Sequence, residues 1–66
     1  MARGTVKWFD EREGYGFIMR DDGPDVYVEG AAIIPNSLRS LAEGQAVEFD
    51  LTPGPRGPRA KNVKPV

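Results

Sequence analysis

The chain has no cysteine and no histidine among its 66 residues. The first absence removes disulfide staples. Together they remove the common zinc sites, Cys/His nucleophile pairs and the Ser-His-Asp arrangement. No metal or other cofactor is expected. No apolar run approaches the ~20 residues a helix needs to cross a bilayer, and Met1 is followed by no basic-then-apolar leader. The expectation is a cytoplasmic protein with no membrane partner. Length is scarce as well. A chain this short makes one domain, residues 1–66, and buries only ~60% of its unfolded surface, so a single small core must suffice. Net charge is close to absent at −1, which by itself argues against a polyanionic partner. Its distribution modifies that reading. Residues 1–50 carry ten acids against five bases, a balance of −5, whereas residues 51–66 carry Arg56, Arg59, Lys61 and Lys64 with no acid, or +4. A basic end on an acidic body can form a local patch with little long-range steering.

What is present centres on Glu13-Gly14-Tyr15-Gly16-Phe17-Ile18-Met19. As an extended strand this places Tyr15 and Phe17 on one face and Gly16 and Ile18 on the other. Two aromatics at period two belong either in a core or on a surface that receives flat ligands. Glycine weakens a strand interior, so its alternation with aromatics marks a close approach of another backbone or of a ligand. The spacing resembles the aromatic ribonucleoprotein signature on which bases stack, except that Glu13 stands where that signature has a basic residue.

Residues 3–12 read as a first strand rich in branched and aromatic side chains. Val6 and Trp8 share one face of it, and Lys7 and Phe9 the other. A flat strand therefore cannot bury Val6 while exposing both Lys7 and Trp8. Strong coiling or a bulge near residues 7–9 is expected, as in a strand bent round a small barrel. A second strand covers residues 15–20, and Asp21-Asp22-Gly23-Pro24 supplies a turn. A third covers residues 25–29, with Val26 and Val28 inward and Tyr27 on the side of Tyr15 and Phe17. Ala31–Ile34 can start a helical turn that Pro35 interrupts, followed by a long connection anchored by Leu38 and Leu41. Residues 45–51 alternate Val47, Phe49 and Leu51 against Ala46, Glu48 and Asp50, a fourth strand with Phe49 as core. Residues 53–58 read as a Gly/Pro loop carrying Arg56. Residues 59–64 read as a last strand with Ala60 and Val63 toward the interior. Five short strands with a long third-to-fourth connection predict an all-β, five-stranded antiparallel Greek-key barrel, whose closure removes edges a domain this small cannot cover.

With these blocks in place, the sequence resembles the bacterial cold-shock proteins, a one-domain oligonucleotide/oligosaccharide-binding (OB) fold. The resemblance rests on Gly4-Thr5-Val6-Lys7-Trp8-Phe9, Gly14-Tyr15-Gly16-Phe17-Ile18, Asp25-Val26-Tyr27-Val28, Ser40-Leu41-Ala42-Glu43-Gly44-Gln45 and Arg56-Gly57-Pro58-Arg59-Ala60-Lys61-Asn62-Val63. It implies binding of single-stranded RNA or DNA without catalysis, and a role as an RNA chaperone or a regulator of transcription or translation. Lys7, Trp8, Phe9, Tyr15, Phe17, Asp25, Tyr27 and Arg56 match family positions that contact nucleic acid, with Tyr replacing Phe at two of them. The departures are Asp10 for Asn, Glu13 for Lys, Glu29-Gly30 for His-Phe, and Leu38 for Phe.

Each stacked base is worth roughly 1–3 kcal/mol by truncation. Two missing platforms therefore cost roughly 2–6 kcal/mol, at least tenfold in affinity. Weakened binding with a shallow salt dependence, roughly −2 for about three phosphate contacts, is the expectation. Blander readings stand beside it. The rings of Tyr15, Phe17 and Tyr27 can pack against a loop or partner, Trp8 can plug the barrel mouth, Phe9 is open between core and surface, and Arg56 can be simply solvated. Asp10, Glu13 and Glu29 as catalytic carboxylates find no cleft to act in; local pairing with Arg12, Arg20 or Arg39 would blunt their repulsion. The alternative function is a barrel whose aromatic face meets a protein or a second copy. A monomer with weak self-association is otherwise expected.

Overall fold

A computed structural model describes residues 2–34, 41–55 and 57–66. Strands β1 (Ala2–Asp10), β2 (Tyr15–Arg20), β3 (Gly23–Glu29), β4 (Ala46–Gly54) and β5 (Gly57–Pro65) form a closed barrel in the order β1-β2-β3-β5-β4. The expected five-stranded barrel is observed. Four of its pairings are antiparallel, and the barrel closes through a parallel contact at Tyr27↔Arg59. A parallel bridge at Ile33↔Val63 extends the closure. The helical turn foreseen after the third strand is a short 3-10 turn at Gly30–Ala32.

Two irregularities reconcile the sequence pattern with a single core. On β1 the register jumps between Val6↔Ile18 and Trp8↔Phe17, so Lys7 is the extra residue of a bulge. The parity conflict is resolved there: Val6 is buried, Lys7 and Trp8 face out, and Phe9 turns back to pack on the core. On β5 the register skips between Lys61 and Lys64, and Asn62 adopts a left-handed φ of 52°. Asparagine tolerates this conformation better than most residues. The Asn62 side-chain amide also donates to Asp50 Oδ2 at 2.9 Å. The bulge brings Ala60 and Val63, an odd number of residues apart, both inward.

The core consists of Val6, Ile18, Val26, Val28, Ile33, Leu41, Val47, Phe49, Ala60 and Val63, with no buried polar side chain among the described residues. Leu41 anchors the long connection as expected, whereas Leu38 lies outside the described residues. Two expectations change. The ends of the segment 53–58 are not an open loop: pairing continues through Pro53↔Pro58 and Gly54↔Gly57, making a hairpin arm. Leu51, expected beside Phe49, is 44% exposed. No residue of β4 beyond Phe49 is buried, although Leu51 pairs directly with the core residue Ala60.

Candidate nucleic-acid interface

The outer face of β1–β3 collects the aromatic side chains. Trp8 pairs with Phe17 and Phe17 with Tyr27 directly across the strands, and one step along, Asp10 pairs with Tyr15 and Tyr15 with Glu29. The bulge at Lys7 is what puts Trp8 into the first row; without it Trp8 would share the face of Val6. Neighbouring rings meet in a closed circuit. Centroid separations are 5.5 Å for Trp8–Tyr15, 5.4 Å for Trp8–Phe17, 5.7 Å for Tyr15–Tyr27 and 5.7 Å for Phe17–Tyr27. These are ordinary distances for tilted and edge contacts, each worth ~0.5–1.5 kcal/mol beyond burial. Trp8 is 36% exposed. Tyr15, Phe17 and Tyr27 are half-buried and lean on each other, and no layer among the described residues seals them from solvent.

Gly16 makes this arrangement possible. A Cβ at that position would come within 2.7 Å of Phe9 Cα and 2.8 Å of Phe9 Cδ2, and would collide with the Trp8 carbonyl oxygen. The close approach expected of the Gly-aromatic alternation is therefore that of β1's own backbone. Phe9, in turn, covers Gly16 and rests on the core rather than joining the ring circuit.

Among the described residues, several charged side chains around the rings have partners. Lys7 Nζ donates to Asp25 Oδ2 at 3.0 Å. Arg59 Nη2 donates to Glu29 Oε1, and its guanidinium carbon lies 5.6 Å from the Tyr27 ring centre. Asp10 Oδ1 accepts from the backbone N–H of Arg12 at 2.9 Å and of Glu13 at 3.1 Å. Its carboxylate thus holds the turn in which Gly14 takes a φ of 78°. Among the described residues the arginine partner of Glu29 is Arg59 rather than Arg12 or Arg20, and Arg39 lies outside the described residues. Glu13 is exposed and makes no ion pair among the described residues.

Beside the rings a groove of about 650 Å³ is lined by Tyr15, Phe17, Asp25, Tyr27, Glu29, Pro55, Pro58 and Arg59, among others. Its volume is in the range of small-molecule and base-sized sites. Of the site residues read from sequence, the structure brings Lys7, Trp8, Tyr15, Phe17, Asp25 and Tyr27 to one face, and sets Phe9 at the core edge. Arg56 lies outside the described residues. Arg59, Pro55 and Pro58 were not singled out. Their place at the groove follows from the parallel closure of β5 on β3 and from the hairpin arm, neither of which leaves a local pattern in the chain.

The geometry is a cluster of outward-facing rings on a closed barrel, and the sequence comparisons identify the family. The sequence model of the "'Cold-shock' DNA-binding domain" matches residues 2–66. The chain belongs to the cold-shock domain family. The cold shock-like protein of Thermotoga maritima is 52% identical over 64 residues, 97% of each chain. The cold shock-like protein CspC of Bacillus cereus is 54% identical over 61 residues, covering 92% of this chain and 94% of that one. The cold shock protein ScoF of Streptomyces coelicolor is 52% identical over 66 residues, 98% of each. Cold-shock domains bind nucleic acid and are not enzymes. Within that frame the departure at Glu29 sits at the groove rather than at a remote edge, and it arrives with an arginine already engaged.

Proposed function

We propose that this cold-shock domain, spanning residues 1–66, binds single-stranded RNA or DNA by stacking bases on Trp8, Tyr15, Phe17 and Tyr27. Lys7, Asp25 and Arg56 contact the strand around those rings, and Phe9 contributes from the core edge. The observation that carries this reading is the unsealed circuit of four rings across three strands. Every base has a π-face, so such a surface is tolerant of sequence. The cellular role that fits is an RNA chaperone or a regulator of transcription or translation, performed in the cytoplasm by a monomer. No helix among the described residues is long and apolar enough to cross a membrane.

Affinity is reduced relative to a face with every platform in place. Gly30 offers no ring, and Glu29 brings an anion. Pairing blunts part of that penalty, because Asp10, Asp25 and Glu29 each already accept from a backbone N–H or a cation. Titration of Trp8 emission with oligo-thymidine tests the reading at physiological salt. A saturable change with micromolar or weaker affinity is expected. No change, together with concentration-dependent elution on a sizing column, would instead assign the ring face to self-association.

A further inference from the structure

The outer face of β3 reads Asp25, Tyr27, Glu29, and both carboxylates line the groove with Tyr15 and Phe17. We infer that Glu29, held by Arg59, gives this groove a preference for guanine among single-stranded ligands. The inference rests on the stacking function proposed above and adds a base-edge reader to it.

Three observations support it. Glu29 stands directly across from Tyr15 in the β2–β3 register, so a base lying on Tyr15 or Tyr27 brings its edge to the carboxylate. The Glu29 side chain is 43% exposed and that of Arg59 42%, so the pair faces the groove rather than the interior. A carboxylate has about four lone-pair sites, and the Arg59 contact at Oε1 occupies one of them. Arg59 also cancels the charge that would otherwise repel the strand.

The edge chemistry then selects. In single strands the Watson–Crick edge is open to side chains. Guanine offers two adjacent donors, N1–H and the N2 amino group, matching the two oxygens of a carboxylate, with O6 beside them for a guanidinium N–H. Thymine and uracil place one N–H between two carbonyl oxygens, which a carboxylate repels. Adenine and cytosine have one amino group next to a ring nitrogen that only accepts. A carboxylate fixed beside a stacking ring thus favours guanine most and thymine least.

The experiment uses the intact chain and oligo-thymidine in which one thymine at a time is replaced by guanine, inosine or cytosine, with affinity read by anisotropy of a labelled strand. At the best position guanine should tighten binding by roughly fivefold, the low end for a bidentate contact because the pair is solvent-accessible. Inosine, which lacks the N2 amino group, should retain only part of that gain. Glu29→Gln should bring the guanine-to-thymine ratio close to one; its melting curve checks that the barrel is intact. The inference fails if guanine gives no gain at any position, if cytosine outranks it, or if the preference survives in Glu29→Gln. Binding of oligo-thymidine without any preference overturns this inference alone, whereas no binding of any strand overturns the stacking function as well.

Discussion

Phe17 is the ring whose removal most directly tests stacking. It sits at the centre of the Trp8–Phe17–Tyr27 row, 5.4 Å from one neighbour and 5.7 Å from the other. Phe17→Ala removes a stacking platform, which costs roughly 1–3 kcal/mol of binding, or about five- to 150-fold in affinity. The same substitution removes two ring–ring contacts in the free protein, a stability loss of roughly 1–3 kcal/mol. For a domain of this size each kcal/mol lowers Tm by roughly 4–8 °C. The two effects must be separated, and Phe17→Leu does so. Leucine keeps an apolar side chain over the same patch but presents no flat face, so it should lose most of the affinity while keeping most of the stability. Anisotropy of a labelled oligo-thymidine is the suitable assay, because Phe17 touches Trp8 and its loss alters tryptophan emission without any ligand. Melting curves run beside it show the folded fraction. If both variants are folded and bind within about twofold of wild type, the rings are not where the strand lies, since a twofold change is only about 0.4 kcal/mol.

Two further outcomes follow from the geometry. Gly16→Ala should destabilise the barrel by about 1–3 kcal/mol, as overpacking does, because its Cβ would meet Phe9 Cα at 2.7 Å and the Trp8 carbonyl; a melting temperature equal to wild type would show that β1 and β2 can part without cost. The slope of log K against log salt for oligo-thymidine should be no steeper than about −2, because Lys7 and Arg59 begin in ion pairs with Asp25 and Glu29. A slope of about −4 or steeper would mean that basic side chains rather than rings supply the affinity.

Much of this was legible in the chain. Alternation located β2 and β3 and their outward rings, because a period of two survives wherever one face is buried. The conflict among Val6, Lys7 and Trp8 foretold a bulge, since no straight strand satisfies all three. Ala60 and Val63 were read as inward without the bulge that this requires, and Asn62 in a left-handed conformation supplies it. The groove's far wall was not legible. Arg59 reaches Glu29 and Tyr27 only through the parallel closure of β5 on β3, a contact across 30 positions that no local pattern encodes. The hairpin arm was hidden for a related reason. Pro53, Gly54, Gly57 and Pro58 have the composition of a loop, yet an arm that projects beyond the core needs no apolar alternation to pair.

The acidic balance of residues 1–50 raises a physical question for any polyanion-binding face, and the contacts answer it locally. Coulomb repulsion between exposed groups fades beyond a Debye length of about 8 Å at physiological ionic strength, so only carboxylates near the rings matter. Asp10 is turned toward two backbone N–H groups, Asp25 toward Lys7 and Glu29 toward Arg59. The two ion pairs are about half solvent-exposed, so each is worth at most ~1 kcal/mol and opens at little cost. A strand that takes Lys7 or Arg59 for a phosphate must leave a carboxylate behind, so the exchange gains little net charge energy. Affinity then has to come from the rings. That coupling ties the shallow salt slope, the loss in Phe17→Leu and the base preference lost in Glu29→Gln to one cause: Lys7 and Arg59 begin in ion pairs, so binding rests mainly on the flat sides and the edges of the bases.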